Sequence, residues 1–320
     1  MGKGAAARTV RRSVSVVSFD LHPHPPYRLD FTVWALRRRR RNEIDRWDGS
    51  YRRALLIGGR PVAARAEQLG TAHQPIVRVR LLGHGGYSPS ERAEARAQMI
   101  RLLGIDVDIE NFYDLADAHP LTRRLKDRFL GVRAPRFPSV LEALVNAVAN
   151  QQLSLEVGLT LLNRLAATLG SAAPGGDGLV AFPTADAILA ASPDSLNALG
   201  FSRRKAEYLH AIAHAVVTGD LDDAVFETMS RDQATRRLTE VRGVGRWSAE
   251  YVLLRGLGRL DVYPGDDVGA RNKLRRFFGL DHDPSYDEVA ALLRPWEPCT
   301  GLLYFHLLLD GLAERGEVDT

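Results

Sequence analysis

The chain is poor in cysteine and in lysine. Cys299 is the single cysteine among 320 residues. It excludes an intramolecular disulfide, which fits a reducing compartment, and it excludes a four-cysteine iron–sulfur cluster. Lysine occurs four times, at Lys3, Lys126, Lys205 and Lys273, so amine nucleophiles are few. No apolar run approaches the roughly 20 residues of a membrane-spanning helix. The basic opening MGKGAAARTVRRS lacks the apolar core of a signal peptide. Residues 1–12 are read as a disordered leader. The nine histidines are scattered, and no His/Cys/Asp cluster has the spacing of a transition-metal site.

What is present is arginine. Lys+Arg of 43 against Asp+Glu of 39 gives +4, which permits nucleic-acid binding without demanding it. Arginine suits bidentate phosphate contacts, but a GC-rich genome produces the same bias and is the preferred explanation. Arg37 to Arg41 are five consecutive arginines. They are read as a solvated strand end or loop rather than a DNA contact.

Patterning divides the chain in two. Val14–Val16 and Ile76–Leu81 alternate as half-buried strands do. Arg53–Ile57 ends at Gly58-Gly59, a hairpin signal, and a helix is expected after Pro25-Pro26-Tyr27. Residues 1–87 therefore read as an α+β unit with an antiparallel sheet. Residues 88–320 read as helical. A helix is expected from Ser90 to about Leu103, and Ser139–Glu142 has the form of a capping box. Leu141, Leu144, Val145 and Val148 then mark the buried face of a helix. Leu155–Leu169 repeats that spacing, and Arg203–Val217 follows a turn at Ala198–Ser202. Helices broken at these intervals imply a compact multi-helix domain.

The most informative stretch is Leu238–Leu280. Val241-Arg242-Gly243-Val244-Gly245 is a glycine hairpin before a helix that starts near Arg246. Two glycines let the backbone turn tightly and approach another surface, and a free helix N-terminus binds anions. Alone, the motif does not separate a phosphate clamp from a plain helix–turn–helix connection. Twenty residues on stands Tyr263-Pro264-Gly265-Asp266-Asp267.

The whole stretch resembles the helix-hairpin-helix and Gly/Pro…Asp signature of base-excision DNA glycosylases. Arg246-Trp247-Ser248-Ala249 and Asp261-Val262-Tyr263 resemble the 3-methyladenine DNA glycosylase II (AlkA-type) branch. Gly131–Pro135, Gln151-Gln152-Leu153-Ser154, Phe182-Pro183-Thr184 and Ala198-Leu199-Gly200 resemble further landmarks of that order. His24–Tyr27 extends the likeness, more thinly, into the N-terminal unit.

The resemblance implies a mostly α fold: a multi-helix glycosylase domain, with subdomains at about 139–259 and at 88–138 plus 260–320, beside the N-terminal α+β domain. It implies an enzyme that flips alkylated purines from double-stranded DNA and hydrolyses the N-glycosidic bond, starting base excision repair. Asp267 is the implied catalytic carboxylate, stabilising an oxocarbenium-like sugar. Asp266 is assigned to cap the helix Val268–Phe278, with the opposite assignment left open. Members that also cut the strand carry lysine two residues after the second hairpin glycine. Trp247 stands there, so a monofunctional enzyme using water is implied.

Trp247 and Tyr251 are the implied pocket residues, together with Trp296 and Phe305. Gly243, Gly245, Arg246 and Ser248 are the implied DNA contacts at the hairpin. The turn Asn150–Leu153 supplies Gln151 and a wedge, either Gln152 or Leu153. The carbonyls of Thr239, Val241 and Gly243 are the implied ligands of a structural Na⁺ or K⁺, with no cofactor required. A monomer in a bacterial cytoplasm, associated with the nucleoid and not with membrane, is the expected setting. Two other readings are a non-catalytic helix-hairpin-helix DNA-binding module and a glycosylase for oxidised or deaminated bases.

Overall fold

The computed structural model describes residues 14–84 and 86–319. The expected leader lies outside the described residues, apart from which the chain opens on strand β1 (Val14–Leu21). Helix α1 (Leu29–Arg37) follows. Strands β2 (Arg46–Trp47), β3 (Tyr51–Ile57), β4 (Arg60–Leu69) and β5 (Ile76–His84) complete a sheet of order β1-β5-β4-β3-β2. Every pairing in it is antiparallel. The β3–β4 turn is Gly58-Gly59, with φ of 55° and 71°. Such angles suit a primed hairpin turn.

The rest is helical, apart from the short pair β6 (Ser171–Ala172) and β7 (Val180–Ala181). The helices are α2 (Pro89–Leu103), α3 (Glu110–Asp117), α4 (Pro120–Arg128), α5 (Val140–Asn150) and α6 (Leu155–Leu169). They continue with α7 (Ala185–Ala190), α8 (Pro193–Ala198), α9 (Arg203–Val217), α10 (Asp223–Glu227) and α11 (Arg231–Thr239). The last four are α12 (Arg246–Arg255), α13 (Val268–Phe278), α14 (Tyr286–Leu293) and α15 (Thr300–Ala313). Most start at a Ser, Thr or Asp whose side chain accepts a backbone N–H of the first turn, as at Ser88, Ser154, Thr184 and Ser202. Each such cap is worth about 1 kcal/mol.

The capping box expected at Ser139 forms by half. Ser139 Oγ accepts the Glu142 N–H at 3.2 Å. The Glu142 carboxylate turns instead to Arg53 of β3, at 2.5 Å. Arg53 also binds Asp45 at 2.7 Å, and all three side chains are buried. Removing one partner of such a buried set costs about 3–5 kcal/mol, so a tertiary ion pair outcompetes the local cap. The sheet is thereby bonded to α5.

A second tie joins α1 to α12. Arg255, fully buried, donates through Nη2 to the carbonyls of Ala35 and Leu36 at 2.9 and 3.1 Å. These belong to the last turn of α1, whose carbonyls lack helical partners. The arginine run begins here, and it is solvated only at its far end, where Arg40 and Arg41 are exposed in a turn. Arg37 and Arg38 are 5% and 6% exposed. Arg37 donates to the carbonyls of Trp47 and Arg40, and Arg39 pairs with Glu156 at 2.9 Å.

Candidate active site

The hairpin joins α11 to α12. Gly243 has φ +93°, and a Cβ there would fall 2.2 Å from Cγ of Tyr208. Conformation and clearance both demand glycine. Gly245 differs. Its φ is −94°, it is the N-cap of α12, and a Cβ there would meet nothing within 4 Å. Its position faces open space. No side chain caps α12, so the N–H groups of Arg246, Trp247 and Ser248 lack intrahelical acceptors and form an anion-binding end.

The turn after α5 braces this hairpin. Gln151 Nε2 donates to the Gly243 carbonyl at 2.8 Å and to Ser248 Oγ at 3.0 Å. Lys205 Nζ donates to the carbonyls of Ala149 and Gln151 at 3.1 and 2.9 Å. Gln151 is thus a strut. Ser248 is 2% exposed, so its hydroxyl is not a DNA contact and only its N–H remains available. Gln152 has φ +56° and is exposed, and Leu153 is 42% exposed. Both sit on the lip of the cavity described next.

That cavity, about 850 Å³, is bounded by Trp247 and Tyr251 of α12, Asp267 and Lys273 at α13, Tyr304 of α15, and Arg38. The rings of Trp247 and Tyr251 lie 5.6 Å apart at 33°. Their four-residue spacing puts them on one helix face. Asp267 is held twice. Its Oδ1 accepts the Ala270 N–H at 2.8 Å, and its Oδ2 accepts the Trp247 indole N–H at 3.2 Å.

Asp267 is therefore also the N-cap of α13. The cap assigned to Asp266 is a correction: one carboxylate both caps the helix and faces the cavity. Asp266 also lines the cavity, and its carboxylate binds Arg246 Nε at 2.6 Å. Arg246 lies 3.9 Å over the Tyr286 ring, and Tyr286 in turn donates to Glu250. The Arg246 side chain is thus an exposed surface cation with a partner of its own.

Trp296 and Phe305 do not bound the cavity. Trp296 packs on His119 and Phe278, at 5.0 and 5.6 Å between centroids. Phe305 is fully buried beside Tyr304 and Arg255. The reason is helical phase. Tyr304 and Leu308, four apart, face the cavity, whereas Phe305 is rotated by about 100° from Tyr304.

Sequence reasoning missed Arg38, Lys273 and Tyr304. Lys273 was visible as one of four lysines, six residues after Asp267 on a helix. Its Nζ donates to the Gly269 carbonyl at 3.2 Å. Burial pushes its pKa down, while Asp267 pulls it up. Of the carbonyls expected to hold a monovalent ion, Gly243 accepts from Gln151 and Val241 accepts from Val244 N–H at 3.0 Å. A carbonyl has two lone pairs, so these residues fit such an ion without requiring it. Among the described residues no helix is long and apolar enough to cross a membrane.

Comparison with known proteins identifies the family and the fold. The profile of HhH-GPD superfamily base excision DNA repair proteins matches residues 145–298. DNA-3-methyladenine glycosylase 1 of Schizosaccharomyces pombe is 33% identical over 162 residues, 48% of this chain and 67% of that one. The solved 3-methyladenine DNA-glycosylase from Archaeoglobus fulgidus superposes with a TM-score of 0.80 at 28% identity, over 91% of this chain and 97% of that one. The S. pombe 3-methyladenine DNA glycosylase in complex with abasic DNA gives 0.56 at 26% identity, over 66% and 100%. With its hairpin, its placed aspartate and an AlkA-like helical body beside an antiparallel sheet, the chain belongs to the HhH-GPD superfamily of base excision DNA repair proteins.

Proposed function

We propose that the protein is a DNA-3-methyladenine glycosylase, a hydrolase of N-glycosyl bonds that acts in base excision repair of alkylated bases. Double-stranded DNA is its partner, and it acts as a monomer. The observation that carries the reading is the doubly held Asp267 beside Trp247 and Tyr251 in one cavity. The α12 N-terminus and Gly245 take a phosphate, which positions the duplex without reading sequence. Gln152 or Leu153, at the cavity lip, fills the gap left by the flipped nucleotide. The base enters between the aromatic walls, where a cationic purine gains about 0.5–2 kcal/mol from the rings.

As the bond from C1′ to the base nitrogen breaks, its electron pair leaves with the base and positive charge grows on the sugar. Asp267 stabilises that charge. Water adds its oxygen to C1′, and one of its protons passes to Asp267. Trp247 occupies the place of a strand-cutting lysine, so water is the nucleophile and the reaction stops at the abasic site. Carbonyls of Thr239, Val241 and Gly243 hold Na⁺ or K⁺ as part of the phosphate clamp, and no other cofactor takes part. The test is product-resolved base release from alkylated duplex DNA, with Asp267→Asn as control. Release that is undetectable in the wild type, or unchanged in the variant, overturns the proposal.

A further inference from the structure

The loop that carries Asp267 is held to α12 at two successive residues. Trp247 donates to Asp267 at 3.2 Å, and Arg246 Nε donates to Asp266 at 2.6 Å. The Asp267 N–H donates to the Pro264 carbonyl at 3.0 Å, so the chain turns tightly between them. Tyr286 of α14 supports that turn. A Cβ on Gly265 would fall 2.9 Å from its ring, and glycine lets the backbone lie against it. The same ring carries Arg246, whose guanidinium carbon is 3.9 Å from the centroid. Its hydroxyl donates to Glu250, which is buried. Arg246 and Glu250 are four apart on α12, hence on one face. Tyr286 therefore docks across one turn of α12, and Arg246 reaches from that platform to Asp266. The side chains of the pair are 55% and 30% exposed. An ion pair so exposed adds little to stability. Its value lies in what it positions.

We propose that Arg246 and Asp266 are positioning residues: their pair sets the place of Asp267 under the sugar and cancels the Asp266 charge beside the docked phosphate. The proposal rests on the glycosylase reading given above. In that reading Asp267 carries a negative charge and the α12 N-terminus receives another. Asp266 stands between them, one residue before Asp267 and bonded to the first residue of α12. Unpaired, it would be a third negative charge at this point and would repel the phosphate. Paired with Arg246, it is close to neutral for a group some distance away. The mechanical effect is separate. Neither residue takes or gives a proton in the reaction, but the loop they fasten carries the group that does. A displacement of about 1 Å at a reacting group costs about 10² in rate. Trp247 fixes where the Asp267 carboxylate points, and Arg246 fixes where its backbone lies.

The test is a double-mutant cycle of Arg246→Ala, Asp266→Ala and the two together, on alkylated duplex DNA. Duplex affinity and single-turnover release of methylated purines at saturating enzyme are measured separately. All three variants are expected to release base about 10- to 100-fold more slowly than the wild type. The double variant should be no slower than either single one, because each loses the same bond. Affinity separates them. Asp266→Ala and the double variant should bind at least as tightly as the wild type. Arg246→Ala should bind about 10-fold more weakly, since it alone leaves Asp266 unpaired. Arg246→Lys keeps the charge and should restore affinity, with release between the wild type and Arg246→Ala. Melting temperatures should stay close to the wild type. Where an alanine variant does not fold, Arg246→Gln or Asp266→Asn takes its place under the same criteria. Wild-type release by Asp266→Ala, or losses that add in the double variant, overturn the positioning role. A double variant that binds as weakly as Arg246→Ala assigns Arg246 to the phosphate directly and overturns the charge cancellation. In both cases an active wild type leaves the glycosylase reading standing. A wild type that releases no methylated purine overturns both.

Discussion

Trp247 donates its indole N–H to Oδ2 of Asp267 at 3.2 Å. With Oδ1 taken by the Ala270 N–H, neither carboxylate oxygen is free to rotate. In the proposed reaction, the wall of the base pocket and the charge under the sugar are one bonded unit. Asp267→Asn should therefore separate chemistry from stability. Asparagine is as good an N-cap as aspartate, so melting should change little while base release falls by orders of magnitude. Asp267→Ala should lose release and also about 1 kcal/mol of stability with the cap. Trp247→Phe keeps the stacking ring but removes the donor. A hydrogen bond to a charged acceptor is worth about 1.5–3 kcal/mol, which corresponds to a drop in kcat of about 10- to 100-fold. Near-normal turnover in Asp267→Asn would refute the carboxylate assignment.

The absence of strand cleavage is tested at Lys273. Lys205 and Lys273 both line the cavity and burial depresses the pKa of each, but Lys273 follows Asp267 on α13 whereas Lys205 is tied to the carbonyls of Ala149 and Gln151. A depressed amine is the type that forms imines. Borohydride added during turnover is nevertheless expected to trap no covalent adduct, and product strands should stay intact until alkali treatment. An adduct that disappears in Lys273→Ala would convert the enzyme into a glycosylase with lyase activity.

The two hairpin glycines should respond in opposite ways. Gly243→Ala forces a Cβ into the Tyr208 ring at a left-handed φ and should destabilise the fold. Gly245→Ala meets nothing and should be tolerated. Gly245→Asp adds charge and bulk where the proposed phosphate clamp lies. Binding to damaged and undamaged duplexes should weaken by a similar factor, with lesion preference unchanged and circular dichroism native. A changed lesion preference at constant affinity would refute the clamp.

His306 should give the fold an acid limit. It is fully buried, its Nδ1 faces the Leu302 carbonyl at 2.8 Å, and its Nε2 has no partner. Burial pushes its pKa down to about 4. The unfolded chain binds that proton more readily, so stability falls as pH drops from about 6.5 toward about 4 and flattens below. The contribution is on the order of 3 kcal/mol. Denaturant midpoints across that range should show the slope, and His306→Leu should reduce it. An identical slope in the variant would assign the effect elsewhere.

Local signals carried far in this chain. Serines, threonines and glycines mark the helix ends within a residue or two, because caps and left-handed turns are local chemistry. Helix α9 falls at the expected Arg203–Val217. The glycine hairpin and the aspartate pair were legible because their spacing is set within about one helix and one turn. Long-range geometry was not. Glu142 left its cap for Arg53, 89 residues away. Phe305 and Tyr304 are neighbours in sequence, and only the phase of α15 against the cavity decides which one faces it. Which of Asp266 and Asp267 capped α13 depended on where the turn ended, and one residue of register reversed the assignment. Arg38 was hidden in a run of like residues, where composition reads as solvation and only the packing of α1 selects one member.

The buried set of Arg53, Asp45 and Glu142 has a consequence for anyone who would graft this protein. Two of its members come from the sheet unit and one from α5. A chimera that borrowed either half from another source would leave Glu142 dry and unanswered, or Arg53 one carboxylate short, unless the transplant carried its own match. The two halves are interchangeable only as a pair, like a key cut for a single lock.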